Sequence, residues 1–478
     1  MAHASTSFHG RRGHSISWRS KTFAGLVWLG TTCATQAQEA SAPPTWGGDL
    51  ASRPRLTGDW GELRDDLARK GVQFDVDVLA TPIAVVSGGR STGSNTWSNV
   101  DYTLNIDTQK LGLWKGGFIN VQADTGLGSM NKRSGAIIAI NTATLVPGAN
   151  ERTTVLMNAT LTQYFTDAFA VAIGKFNTFD QGAQEFYGDY SSQFLNGAFN
   201  FPVTTEQVPQ SAFGAGVIFQ ATKDLNLSVY ALDPSGTPDS NDLGEAFDDG
   251  VIVTGGAQWT IHPFQRAGHQ GLSFAWSDKR RLSLNQTPSD LDELLLQNDF
   301  PRLGDIGPTL AQYLSQYFPN LTPGAQAANT KAESWSVNYA FDQYLWQPNG
   351  DQTHGVGLFF SFGASDGNPN PIRYAYLAGI GGKGVGPSRP DDNFGIGVAS
   401  TRFSGTFIPL LRQQLGLGLD REDAIEAYYN VAVTHWLNVT ADVQFVSPAL
   451  KKSLNRTGDG LTSVGNATIV GLRLRARL

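Results

Sequence analysis

Two short glycine-rich motifs match known sequence patterns. The first pattern is found around a nucleophilic serine, and the second is found in turns that bind a dinucleotide. Residues 363–367 read GASDG, the G-x-S-x-G pattern that places a nucleophilic serine between a strand and a helix. Residues 379–384 read GIGGKG, the G-x-G-x-x-G pattern of dinucleotide-binding turns. Both chemistries need a helix directly after the glycines, but NPNP follows the first motif and VGPSRPDDN follows the second. We therefore predict a strand-to-loop junction and a flexible loop, without a catalytic residue in either.

Metal chemistry is only weakly indicated. The four histidines beyond residue 37 are scattered, and no two of them have the spacing of a zinc-binding helix. An acidic group in 239–249 offers the oxygen ligands that calcium prefers, but not in the order of a calcium-binding loop. It comprises Asp239, Asp242, Glu245, Asp248 and Asp249. We interpret this group as a solvated outer loop, and we predict neither a metal nor a cofactor.

The end of the chain carries a cation at every second position. Arg473, Arg475 and Arg477 alternate with apolar residues from Leu472 to Leu478. In a β-strand this spacing places the guanidinium groups on one face and the apolar side chains on the other. Such a strand fits either the edge of a soluble sheet or a wall between lipid and water.

The composition helps to separate these two possibilities. Charged residues make up 16% of the 478 residues, below the roughly 25% of typical soluble domains. Aromatic residues reach 11% and glycine 54 residues, while no stretch has the ~18 consecutive apolar residues of a membrane helix. The chain therefore lacks both the charged surface of a soluble domain and a helical membrane span.

Residues 1–37 have the layout of a secretory signal peptide. Basic residues precede a short apolar stretch from Phe23, which ends in small residues at Ala37. Cleavage there would remove Cys33, the single cysteine, so the exported chain could form neither a disulfide nor a thiolate metal site. It would keep 31 basic and 42 acidic residues, a formal charge of −11 that argues against a nucleic-acid partner.

Residues 38–71 are predicted to form a spacer and one short amphipathic helix. In the segment from Leu56 to Gly71, Asp59 and Glu62 have the spacing of a capping box. Gly71 supplies the left-handed residue that ends such a helix.

From Val72 onward, apolar and polar residues mostly alternate with a period of two. We identify sixteen such stretches, and the connections between them alternate roughly between short and long. They start near residues 72, 98, 117, 151, 168, 213, 225, 249, 270, 333, 354, 371, 393, 422, 437 and 467. This pattern predicts an all-β fold, a transmembrane antiparallel β-barrel of about 16 strands over residues 72–478. The long insert 279–331 contains two predicted helical pieces, at 289–300 and 309–318.

A barrel gives the C-terminal alternation a direct interpretation. Its apolar residues would face lipid, and Arg473, Arg475 and Arg477 would line a water-filled pore. An arginine on the lipid face would cost about 2–4 kcal/mol at the membrane midplane, which fixes the orientation of the strand.

Several segments resemble the carbohydrate-selective porin (OprB) family. They are LTGDWGELRDDLARKG (56–71), GKFNTFD (174–180), EFYGDYSSQFLNGAFNFP (185–202), SFGASDGNPNP (361–371) and EAYYNVAVTHWLNVTADVQFVSP (426–448). The resemblance implies a 16-stranded outer-membrane barrel that passes monosaccharides and similar small polar solutes by diffusion through a narrow constriction. Such barrels usually end in an aromatic residue, whereas this chain ends in Leu478.

The segment 176–212 is the expected constriction loop, folded into the lumen. It interleaves aromatic and acidic residues, which suits a sugar path because sugars offer apolar faces for stacking and hydroxyls for hydrogen bonds. Alternatively, the rings pack the loop against the wall or lie at the membrane interface. The candidate residues are Asp180, Glu185, Phe186, Tyr187, Asp189, Tyr190 and Phe194.

The sequence thus predicts a passive, carbohydrate-selective porin of the outer membrane of a Gram-negative bacterium. Small sugars would be its permeants and outer-membrane lipid its surroundings, with the barrel working as a monomer or a trimer. The alternatives are a general diffusion porin, an enzyme built on an outer-membrane barrel, and a soluble periplasmic β-rich binding protein.

Overall fold

The computed structural model shows a closed barrel of sixteen antiparallel strands. Each strand pairs with the next along the chain, and the last strand pairs with the first. The structure describes residues 45–147, 153–179, 184–240, 243–285, 329–348, 351, 353–386, 388–406, 418–454 and 461–478. Among these residues, no helix is both long enough and apolar enough to span a membrane.

The barrel strands are numbered β1 to β16 in chain order. The first eight are Val72–Gly89, Gly93–Asp107, Gly117–Gly128, Thr154–Thr166, Phe169–Asn177, Ser211–Thr222, Leu225–Leu232 and Ile252–Ile261. The second eight are Gly268–Ser277, Ser334–Trp346, Gly355–Ser365, Ile372–Lys383, Asn393–Phe403, Arg421–Thr434, Leu437–Ser447 and Gly465–Arg477.

The predicted barrel is confirmed, and its strands lie where the period-two pattern places them. Every predicted start lies within five residues of an observed start; the largest difference is at β2, predicted near 98 and observed from Gly93. The two faces of β16 differ as predicted, because Leu472 and Leu474 are about 40% exposed while Arg473 between them is 1% exposed. A strand whose two faces meet different solvents needs this alternation.

The two rims of the barrel differ in the length of their connections. One rim, the short-turn rim, carries two-residue turns at 223–224 and 435–436. The other, the long-loop rim, carries the connections 129–153, 178–210 and 278–333. Within the last of these, Arg281–Leu282 pairs with Thr330–Lys331, and the two predicted helical pieces lie outside the described residues.

The N-terminal helix is present, but its predicted start and cap are wrong. Helix α1 spans Leu63–Arg69, so Asp59 is not its N-cap. The three residues before it have left-handed backbone angles, with φ of 55° at Trp60, 70° at Gly61 and 72° at Glu62, and such a run is not helical. Gly71 has a φ of 89°, in the left-handed region predicted for it.

A buried arginine explains this turn before the helix. The guanidinium carbon of Arg64 lies 4.9 Å from the ring centres of both Trp46 and Trp60, so the chain must fold back to place the second indole. Arg64 also donates hydrogen bonds to the Phe74 carbonyl (2.9 Å), the Asp75 carboxylate (2.7 Å) and the Leu478 carbonyl (3.0 Å). It therefore ties the N-terminal segment to β1 and to the last residue, at the seam where the barrel closes.

Replacing Arg64 by Ala should destabilise the folded barrel by about 2 kcal/mol, because two carbonyl groups and Asp75 would lose a donor while Arg55 stays paired with Asp75. Urea titration of the folded form in detergent, followed by its heat-modifiable mobility, would measure this difference. The matched control is Arg69→Ala, which removes a helix cation that is 56% exposed. Equal stability of the two variants would contradict a role for Arg64 at the seam.

Candidate functional site

The connection between β5 and β6, residues 178–210, folds into the barrel as predicted; we call it the constriction loop. Phe194 of this loop has no exposed surface. Its ring centre lies 5.7 Å from that of Phe359 on β11 and 4.7 Å from that of Tyr428 on β14. Because β14 stands across the barrel from β5 and β6, the loop spans the interior and narrows the lumen.

The constriction loop holds its own shape through asparagine side chains. Asn196 caps a short 3₁₀ helix, Gly197–Phe199, by accepting a hydrogen bond from the Ala198 amide at 3.0 Å. The Asn200 amide group donates to the Phe194 carbonyl at 3.0 Å and to the Thr142 hydroxyl at 2.7 Å. These side-chain hydrogen bonds hold the loop in the interior, where it has no strand partner.

Glycines on the inner face of β11–β13 make room for the aromatic rings of the loop. A Cβ atom on Gly381 would lie 2.6 Å from that of Phe186, and one on Gly397 would lie 2.7 Å from the Phe199 ring. The inward glycines that contact the loop are Gly357, Gly363, Gly381, Gly395 and Gly397. The predicted flexible loop at GIGGKG is therefore wrong, because residues 379–383 lie in β12 and their glycines provide space for rings rather than a turn.

Two buried glutamates on β14 accept hydrogen bonds from the backbones of the inward loops. Glu426 accepts from the amides of Leu195 and Asn196 at the tip of the constriction loop. Glu422, four residues earlier on the same face of the strand, accepts from the amides of Ile137 and Ile138 at 2.8 and 2.9 Å. Because each of these side chains accepts two backbone N–H groups, it fixes how far its loop reaches into the lumen.

The three C-terminal arginines have different roles. Arg473 faces inward, but the constriction loop covers it, and it donates at 2.7 Å to the carbonyls of both Tyr190 and Gln193. Arg475 remains partly exposed and is paired with Asp77 on β1, with its Nε 2.9 Å from the carboxylate. Arg477 lies at the short-turn rim, where it donates to the His435 carbonyl at 3.1 Å.

The aromatic candidates of the constriction loop mainly pack against the wall. Phe186 contacts Tyr344 of β10 with ring centres 4.9 Å apart, and Tyr187 contacts Phe359 at 5.0 Å. Together with Phe194, these rings are at most 6% exposed, so they follow the packing alternative. Tyr190 is half-buried, and Asp180 lies outside the described residues.

The two acidic candidates lie in different electrostatic surroundings. Burial raises the pKa of Glu185, which accepts a hydrogen bond from the Tyr344 hydroxyl. Burial would also raise the pKa of Asp189, but Arg475 and hydrogen bonds from Ser191 and Ser192 outweigh it and hold this pKa below its usual value. Asp189 is therefore a fixed negative charge beside the Arg475 and Asp77 pair.

A second inward loop was not anticipated from the sequence. Residues 137–146, between β3 and β4, are buried, and Asn99 on β2 donates to the carbonyls of Ala143 and Val146 at 3.2 and 2.7 Å. The signal available was the stretch GAIIAINTATLVP, which is too apolar for an outer loop in water. Both loops together form the constriction.

The motifs with possible chemistry have structural roles. Ser365 is fully buried at the end of β11 and donates to the Ile372 carbonyl at 2.6 Å, and residues 366–371 lead to β12 without a helix. Within the part of the chain that the structure describes, no three His, Cys, Asp or Glu residues are grouped closely enough to hold a metal ion.

Glu426→Ala should loosen the constriction loop while leaving the second inward loop in place. Two hydrogen bonds are together worth about 2 kcal/mol, so cleavage within 185–200 by a broad-specificity protease should accelerate about 30-fold. Glu422→Ala is the matched variant, and it should direct cleavage to 136–146 instead. Identical fragment patterns for both variants, measured by mass spectrometry, would contradict separate anchoring of the two loops.

Comparison with known proteins agrees with this architecture. Residues 92–478 match the family described as "Carbohydrate-selective porin, OprB family". Porin B of Pseudomonas aeruginosa is 23% identical over 489 residues, covering 94% of both chains. The high-pH structure of Pseudomonas putida OprB superimposes with a TM-score of 0.69 at 21% identity, covering 90% of this chain and all of that one. Its low-pH structure gives a TM-score of 0.52 at 17% identity. The chain therefore belongs to the OprB family of carbohydrate-selective porins, and its barrel lies in the outer membrane.

Proposed function

We propose that small neutral sugars diffuse passively through this barrel, passing between the constriction loop and the wall. Export through cleavage of residues 1–37 and operation as a monomer or a trimer belong to the same proposal. Membership of the carbohydrate-selective family supports the class of permeant. The local geometry beside the loop supports the path.

The observation that carries the proposal is a cleft between the constriction loop and β10–β13. It is lined by polar and apolar side chains of the loop and of these strands. Three buried amide atoms of residues lining it have no hydrogen-bond partner among the described residues: Gln184 Oε1, Asn200 Oδ1 and Asn338 Nδ2. Once these amide groups turn toward the cleft, sugar hydroxyls can donate to the two oxygens and accept from the nitrogen.

Apolar rings also border this cleft. Tyr187, Phe199 and Phe201 line it beside the amides. These rings are at most 6% exposed, so they form the apolar backing of the path rather than a stacking surface. The site has few charges, which suits a neutral solute that must leave again.

The opposite wall carries acidic side chains and one arginine. Asp77, Asp101 and Asp124 are direct cross-strand partners on β1, β2 and β3, and Arg475 pairs with the first of them. Asp77 and Asp189 place negative charge beside Arg475 on this side of the lumen. In this proposal Arg475 shapes the field in the pore, Arg473 supports the loop and Arg477 belongs to the rim.

A general diffusion porin is the alternative function, and membership of the carbohydrate-selective family favours the selective one. An enzymatic activity is not part of the proposal, since the proteins that the chain matches are porins. Single-channel recording with increasing glucose separates the two channel functions: a specific path predicts saturable block of the ion current, and a general pore predicts none.

Asn338→Leu should weaken the glucose block, because one neutral hydrogen bond of about 0.5–1.5 kcal/mol is lost, a factor of about 2–10 in affinity. Asn466→Leu, at an exposed position on β16, is the matched control and should leave the block unchanged. An unaltered block in the Asn338 variant would place the sugar path elsewhere in the lumen.

Asp77→Asn should shift the reversal potential toward anions, since Arg475 loses its partner and the lumen gains net positive charge. Arg475→Gln should shift it in the opposite direction. Lys223→Gln, whose side chain is 90% exposed on the short-turn rim, provides the control. Reversal potentials in a tenfold salt gradient measure this, and two shifts of the same sign would contradict a lumenal ion pair.

A further inference from the structure

Two arginines stand on the outer face of the barrel near the long-loop rim. Arg402 on β13 and Arg421 on β14 are direct partners across the two strands. Both lie in phase with lipid-facing residues, because Val398 on β13 is 50% exposed and Ile425 on β14 is 47% exposed. Their side chains therefore point outward, on the face of the barrel where apolar side chains contact lipid.

Aromatic residues place this pair at the level of the lipid headgroups. Tyr374 on β12 is the direct cross-strand partner of Arg402, and Tyr376 lies against the side chains of Ser400 and Arg402. Phe362 on β11 pairs in turn with Tyr376. Aromatic girdles mark the two interfaces of a membrane barrel, so the arginines lie in the girdle nearest the long loops.

The positive charge of this patch is only partly neutralised. Asp423 accepts a hydrogen bond from the Ser400 hydroxyl at 2.6 Å and lies 2.7 Å from Nε of Arg421. No ion pair joins Arg402 to an acidic residue in the part of the chain that the structure describes. By sequence, the connection 404–420 adds one base and one acid, Arg412 and Asp420, and hence no net charge. The outward patch keeps one positive charge in excess.

We propose that Arg402 and Arg421 bind the phosphate group of a phosphorylated lipid in the outer leaflet. Like charges directly opposite each other on adjacent strands repel, and an anion between them removes that repulsion. A guanidinium group binds phosphate oxygens through two parallel hydrogen bonds. The long-loop rim of such a barrel faces the outside, so the phosphates within reach are those of outer-leaflet lipid. The neighbouring tyrosines can hydrogen-bond the polar headgroup from the side.

The test uses the full mature porin in detergent, with bisphosphorylated lipid A and dephosphorylated lipid A of identical acyl chains as probes. Native mass spectrometry should show preferential retention of the bisphosphorylated form by the wild type. Each basic residue near an anionic lipid surface contributes about fivefold, so Arg402→Gln with Arg421→Gln together should reduce retention about 25-fold. Lys223→Gln is the control, because it removes an exposed cation at the opposite rim.

Two further measurements test whether the ligand is the lipid rather than free phosphate, and whether binding depends on the positive charge of the patch. Asp423→Asn removes the carboxylate that competes for Arg421, and it should increase retention. Excess inorganic phosphate should not displace the lipid, because the acyl chains contribute to binding. Equal retention of both lipids by the wild type, or unchanged retention by the folded double variant, would overturn the proposal. Arginine-dependent association of barrels without lipid would overturn it as well, in favour of a second copy of the chain.

Discussion

The structure depends on the absence of water from the hydrocarbon core of the membrane. Every backbone N–H and C=O group there must be paired within the protein, and a sheet achieves this only when its first and last strands meet. The pairing of β1 with β16 is therefore the condition for all other features. Arg64 reinforces it at the short-turn rim, where its hydrogen bonds reach both ends of the barrel sequence.

Closure divides the side chains into an outward set and an inward set. Outward side chains must be compatible with lipid, whereas inward side chains can differ in chemistry from one group of neighbouring strands, or sector, to another. The sector β1–β3 carries aspartates, β11–β13 carries glycines, and β14 carries Glu422 and Glu426. The constriction loop fits between these sectors because the glycines accept its rings while Glu426 and Arg473 hold its backbone. The width of the lumen is thus determined by wall residues as much as by the loop.

The strands could be predicted from the sequence because their signal is local: a period of two is visible in any eight residues. The docking of the loops could not, because it depends on residues that are far apart in the chain, such as Glu426 and Leu195. Composition alone could not distinguish rings that stack on a solute from rings that fill the space above Gly381. The start of α1 was mispredicted for a similar reason, since the distant contacts of Arg64 overrule the local capping pattern.

The arginines show that the role of a residue in this fold depends on its position in the strand. Arg473 and Arg402 both lie within strands, yet one faces the lumen and the other faces lipid. The penalty for a lipid-facing arginine falls from about 2–4 kcal/mol at the midplane to about 0–1 kcal/mol at the interface. Arg402 is therefore acceptable only near the headgroups, and its place two residues beyond Ser400 indicates where the apolar band ends on β13. Whether a charged residue lies at an odd or an even position of its strand thus indicates which face of the barrel it occupies. Its position along the strand indicates how deep the barrel lies in the membrane.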